Sequence, residues 1–224
     1  MKKHFIILFF TLIIISAYTA ETWLSAEYQY GVSFFKGEDI DSYSSPESKH
    51  FNIGHSGINI KTYTFWKNQN IGLFTKAGLM LPYFNRNDNE NDYMQYGGIP
   101  LSLGTGIGFR HILSGKSNIH YAVGLGFDFS MFFSKYKFSY SLVDVQEYNQ
   151  KLYLSLLFDI GYKYNINDNL YINTGANLNF GFAKHIKKSS KSDLHNNNIS
   201  KWAKGFFSFE FLPYIGVGVI INSK

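Results

Sequence analysis

The 224-residue sequence has no cysteine, only 4 prolines, and fewer charged residues (17%) than aromatic ones (19%). Without cysteine there is no disulfide scaffold, no thiolate metal site and no cysteine nucleophile. The low charge, set beside 45% hydrophobic residues, excludes a disordered chain. The formal net charge of +5 falls to +3 without Lys2 and Lys3, too small an excess to imply a nucleic-acid partner. Beyond residue 20 no apolar run approaches the length of a membrane helix. Helical periodicity is missing as well.

What is present begins with a targeting pattern. Met1-Lys2-Lys3 is a basic start, Phe5 to Ile15 is apolar apart from Thr11, and Ser16-Ala17-Tyr18-Thr19-Ala20 supplies small residues. A secretory signal peptide over 1–20 is therefore expected, leaving 21–224 as one domain. The rest of the chain alternates. From Ile99, the residues Leu101, Leu103, Thr105, Ile107 and Phe109 oppose Pro100, Ser102, Gly104, Gly106, Gly108 and Arg110. Only a strand sorts residues in this way. Ile71–Tyr83, Ile119–Phe133 and Leu170–Phe182 repeat the pattern.

Eight strands are expected, at 23–35, 50–66, 71–84, 98–112, 118–134, 150–164, 169–183 and 205–221. Their connections alternate in length: long at 36–49, 85–97, 135–149 and 184–204, short at 67–70, 113–117 and 165–168. Antiparallel succession then gathers every long loop at one end. Short turns on one side, long loops on the other and an even strand number are the pattern of a bacterial outer-membrane barrel. In these features the mature chain resembles the small eight-stranded outer-membrane barrels of the OmpX and OmpA-barrel type. The resemblance implies an all-β, antiparallel, up-and-down transmembrane barrel, monomeric in outer-membrane lipid, with short periplasmic turns and long extracellular loops. One departure is the ending Val219-Ile220-Ile221-Asn222-Ser223-Lys224, where such proteins commonly finish on an aromatic residue.

A secreted soluble carrier of the lipocalin kind is the alternative barrel, and it inverts every face. Against it, the minor face carries Gly, Ser, Ala and Asn, as in Asn173-Gly175-Asn177-Asn179, where a soluble exterior would carry Lys, Glu and Asp. Trp23, Trp66, Tyr162, Tyr164 and Tyr171 are expected as one interfacial girdle and Phe34, Phe133, Phe182 and Phe206 as the other.

The charges within strands fall on the minor face: Glu27, Lys61, Lys76, Arg110, Asp128, Asp159, Lys163 and Glu210. Four of each sign point to a salt-bridged lumen, because buried charge is costly unless paired. A narrow solute channel, the functional alternative, would favour one sign. Gly104-Thr105-Gly106-Ile107-Gly108 lies inside a strand and lacks the helix that a dinucleotide loop needs. A lipid-modifying barrel hydrolase would need His55, Ser56 and Glu210 to converge, yet adjacent strand residues face opposite ways. His185 and His195 lie in a polar loop and are read as solvated. No cofactor and no metal are expected.

The long loops differ in sign. Loops 36–49 and 85–97 are each net −2, whereas 184–204 has Lys184, Lys187, Lys188, Lys191, Lys201 and Lys204 against Asp193. This basic extracellular loop reads first as surface charge that serves solubility and mutual screening with the acidic loops; the sharper alternative is a contact for anionic glycans, a host surface or lipid headgroups. The functional expectation is a non-catalytic protein with a structural, surface-contact or adhesive role.

Overall fold

The computed structural model describes residues 20–37, 48–66, 68–80, 85–89, 92–138, 144–191 and 196–222. The expected signal segment, most of loop 36–49 and His195 lie outside them. Ten strands are formed: β1 (Ala20–Gly37), β2 (Ser48–Trp66), β3 (Ile71–Met80), β4 (Asn85–Asn89), β5 (Asp92–Ile112), β6 (Ser117–Phe138), β7 (Asp144–Asn165), β8 (Leu170–Lys191), β9 (Asn196–Trp202) and β10 (Phe207–Asn222). Eight of them, all but β4 and β9, make the wall. All pairings are antiparallel, and β10 pairs with both β8 and β1, closing the barrel.

Two expected long loops are therefore ordered as hairpins. Segment 85–97 holds β4 and the start of β5, and 184–204 holds the upper part of β8 and all of β9. These segments are rich in polar residues in sequence, so hydropathy alternation weakens where the hydrogen-bond ladder continues. The arms of β6 and β7 likewise run into segment 135–149, pairing as far as Lys137 and Asp144.

The ladder from Ser25 passes through Lys61, Lys76, Gly104, Gly126, Ser155, Gly181 and Ser208 and returns to β1 at Phe35, ten residues above its start. That offset tilts the strands and gives a bore that side chains can fill. The outer face is apolar, with Ile215 and Val217 each 62% exposed and Ile58, Leu103, Leu125 and Ile160 also exposed. The inner face buries Glu27, Lys61, Asn59, Asp159, Lys163 and Asn177. A soluble carrier needs the opposite arrangement, so the lipocalin alternative is overturned by the faces themselves.

The girdles need correction too. Trp66, Tyr162, Tyr164 and Phe182 are exposed as expected, but Trp23 is 2% exposed and Tyr171 and Phe206 are also buried. Trp23 shares strand parity with Ser25 and Glu27, which fixes its ring inside.

Two register shifts modify the wall. One lies opposite Gly31 and Val32, whose β2 partners are His55 and Ile53, leaving Gly54 unpaired. The other lies in β8, where Gly181 pairs with Ser155 and Ala183 with Leu154, leaving Phe182 as the extra residue. Such a bulge exchanges the two faces beyond it. Below it Asn177, Asn179 and Gly181 face in; above it Lys184, Ile186 and Lys188 do.

Candidate functional site: the lumen and its basic rim

The floor of the lumen, at the short-turn end, is aromatic. Trp23 packs edge-on against Phe65 at 4.7 Å, and Tyr63 lies 4.9 Å from Phe74. Trp23 Nε1 donates to Glu21 Oε1 at 2.6 Å, and Glu21 also accepts from Arg110. The guanidinium, 4.6 Å from the Phe65 ring, further donates to Asn70 Oδ1 at 3.3 Å and to the Gln69 carbonyl at 3.2 Å. Lys163 Nζ stands 3.7 Å from the Trp23 ring centroid. The cations here therefore rest on ring faces, where the quadrupole is attractive.

The middle level is organised by Lys61. Its Nζ is 2.7 Å from Glu27 Oε2 and 2.6 Å from Asp159 Oδ1, with all three side chains fully buried. The same ammonium lies 3.3 Å from the Tyr214 ring centroid. Tyr63 and Tyr214 both donate to Asp159 Oδ2, the latter at 3.3 Å, and His120 Nε2 is 3.2 Å from Tyr214 Oη. Glu27 accepts from Ser25 at 2.9 Å and from Asn173. Each charge thus has an opposite charge and a neutral donor or ring beside it, the condition for tolerating ions out of water.

Glycine makes room for this network. A Cβ on Gly161 would overlap Tyr214 Oη and stand 2.5 Å from His120 Nε2. Gly108 likewise stands against the Tyr63 ring, 2.7 Å from where its Cβ would be.

Above this level the lining is sparser. Asn179 Nδ2 donates to Glu210 Oε2 at 2.8 Å, and Lys76 is buried on the same lumen side. Ser102, Ser130, Ser155 and Ser208 complete the lining. At the rim, Lys184 Nζ lies 5.8 Å from the rings of both Tyr153 and Phe206, which are 5.5 Å apart.

All eight strand charges singled out in the sequence lie on the lumen side, divided among these levels. Arg110 and Lys163 belong to the floor, Glu27, Lys61 and Asp159 to the middle, and Lys76, Asp128 and Glu210 to the upper lumen. Sequence reasoning missed Glu21, Tyr63, His120, Asn173 and Tyr214 as their partners. Shared parity with the charges was the available signal.

The six loop lysines do not form one exposed loop. Lys184 and Lys188 are buried, Lys187 and Lys204 are exposed, Lys201 is half-buried, and the Lys191 side chain lies outside the described residues. The Phe182 bulge is the physical reason. His185 packs against Trp202 at 5.1 Å, with Ser200 Oγ 3.4 Å from its Nε2. Ser56 stands opposite Tyr30 on the outward-facing row, while Glu210 faces the lumen, so these two members of the hydrolase set do not meet. The His55 side chain lies outside the described residues. Among the described residues no three His, Asp or Glu side chains are placed to hold a metal ion.

No known protein family matches the sequence, and no curated protein does. Solved structures do match. A major outer membrane protein from Thermus thermophilus aligns over 87% of this chain and 98% of its own, at 10% identity and a TM-score of 0.53. Ail, the attachment invasion locus protein of Yersinia pestis, solved with the heparin analogue sucrose octasulfate, aligns over 90% and 99% at 15% identity and 0.48. OprG from Pseudomonas aeruginosa aligns over 91% and 97% at 9% and 0.49. The agreement with the Thermus protein is one of fold. An all-β, closed antiparallel barrel of eight walls, apolar outside and polar within, is the fold of the small outer-membrane barrels.

Proposed function

We propose that the chain is exported through residues 1–20 and that residues 21–224 form a single monomeric barrel in a bacterial outer membrane. Its role there is structural and surface-contacting, without catalysis or a cofactor, and the hairpin arms present charge to anionic glycans or a host surface. One observation carries this reading: the floor of the bore is closed by packed rings and ion pairs. Trp23, Phe65, Phe74 and Tyr171 are buried there, Arg110 is tied to Glu21, and Lys163 lies over Trp23. Such a bore supports neither solute flow nor an apolar ligand, which leaves the outer rim as the working surface.

Planar-bilayer recording on the refolded chain tests it. The wild type is expected to be electrically silent, and the double variant Trp23→Ala, Phe65→Ala is expected to conduct. Steady wild-type conductance would overturn the closed-floor reading. Recovery as a soluble periplasmic monomer, without heat-modifiable migration, would overturn the membrane reading.

A further inference from the structure

On the outer wall, the apolar rows of β1, β8 and β10 give way abruptly to basic and aromatic side chains. In β1 the outward row runs Tyr28, Tyr30, Val32, Phe34 and then Lys36. In β8 it runs Leu178, Phe180, Phe182 and then, past the bulge, His185 and Lys187. Lys36 pairs with Phe207, His185 stands between Leu152 and Trp202, and Lys187 stands between Gln150 and Ser200. Phe182, Trp202 and Phe207 are 53%, 54% and 44% exposed. Lys204 is exposed on the turn between β9 and β10, next to Gly205, whose φ of 61° is the conformation that turn requires. Among the described residues facing outward at this level, none is acidic.

From this arrangement we propose that the outer edge of β8, β9, β10 and β1 is a docking surface for an anionic lipid of the surrounding leaflet. Phe182, Trp202 and Phe207 lie along its acyl chains, and Lys187, His185, Lys36 and Lys204 meet its phosphate. Three properties select this occupant. The patch lies at the upper limit of the lipid-facing band, the level of headgroups. Its rings are amphipathic or apolar and partner the chain-to-headgroup boundary. Among the described residues its charge is of one sign, opposite to a phosphodiester. The bulge at Phe182 is the device that assembles it. Without the shift, β8 above residue 182 would present Lys184, Ile186 and Lys188 to lipid and turn His185 and Lys187 inward.

The inference rests on the membrane-barrel reading, and one experiment separates their failures. The chain is reconstituted in phosphatidylcholine vesicles carrying spin-labelled phosphatidylglycerol or, in parallel, spin-labelled phosphatidylcholine. The fraction of immobilised label reports binding. The wild type is expected to immobilise the anionic label preferentially, and Lys36→Gln, Lys187→Gln, Lys204→Gln together to reduce that preference by about fivefold or more. The inward pair Lys184→Gln, Lys188→Gln is expected to leave it unchanged. Equal immobilisation of both labels by an inserted, heat-modifiable barrel overturns the inference alone. So does a preference that survives the triple variant, or one lost equally in the inward pair. Failure to insert at all overturns the membrane reading instead.

Discussion

The floor and the rim of the barrel both carry cations beside aromatic rings, yet they use them oppositely. At the floor, Arg110 and Lys163 are enclosed among Trp23, Phe65 and Tyr171, and Arg110 also binds Glu21. At the rim, the rings of Phe182, Trp202 and Phe207 face out, with Lys187 and Lys204 exposed beside them. The same residue types make a closed, ring-packed plug in one place and an outward-facing basic surface in the other. Enclosure decides the difference. A cation among rings and carboxylates is part of the core, whereas one at the edge of an apolar band faces whatever surrounds the barrel.

Substitutions should separate the two regions by size of effect. Lys61→Met leaves Glu27 and Asp159 buried without their shared cation. The expected loss is about 3–5 kcal/mol, seen as a marked fall in the urea midpoint of the heat-modifiable folded band. A variant as stable as the wild type would show that the middle network contributes little.

Gly161→Val places a side chain where Tyr214 and His120 already stand. The expected cost is about 1–3 kcal/mol by the same unfolding measurement. An unchanged midpoint would mean that the ring of Tyr214 moves aside at no cost.

Lys187→Gln, on the outer rim, is expected to alter stability by no more than about 0.5 kcal/mol. A loss comparable with that of Lys61→Met would erase the distinction between plug and surface.

Much of this was legible in the sequence, and the exceptions share a cause. The eight walls and the polar lining follow from parity, because a two-residue period allows only two faces and the charges chose one. Parity also determines that Trp23 points inward with Glu27. Grouping it with Trp66 as a girdle relied on its distance from the strand end, and that distance does not distinguish the faces. The partners Tyr63, His120 and Tyr214 were written in the same parity, but the sequence does not reveal which strands confront each other across the bore. The bulge at Phe182 left no such trace: it inserts one residue whose neighbours read as an ordinary strand, and it reverses the fate of Lys184, Lys187 and Lys188. Strand β9 was hidden because its polar residues give almost no apolar alternation.

Closure by the last strand, β10, also governs the order in which the barrel can become itself. Lys61 on β2 finds Asp159 on β7, 98 positions away in the chain, and the carboxylate is shared with Tyr214 on β10. β1 has no partner on its open side until β10 arrives. Contacts this distant in sequence form late, because loop closure must precede them. A sheet lacking β10 therefore has two raw edges, and its Lys61 lacks the Tyr214 ring that stands over it in the closed barrel. Arrival of one strand both hides the edges and supplies the ring beneath which that lysine is held.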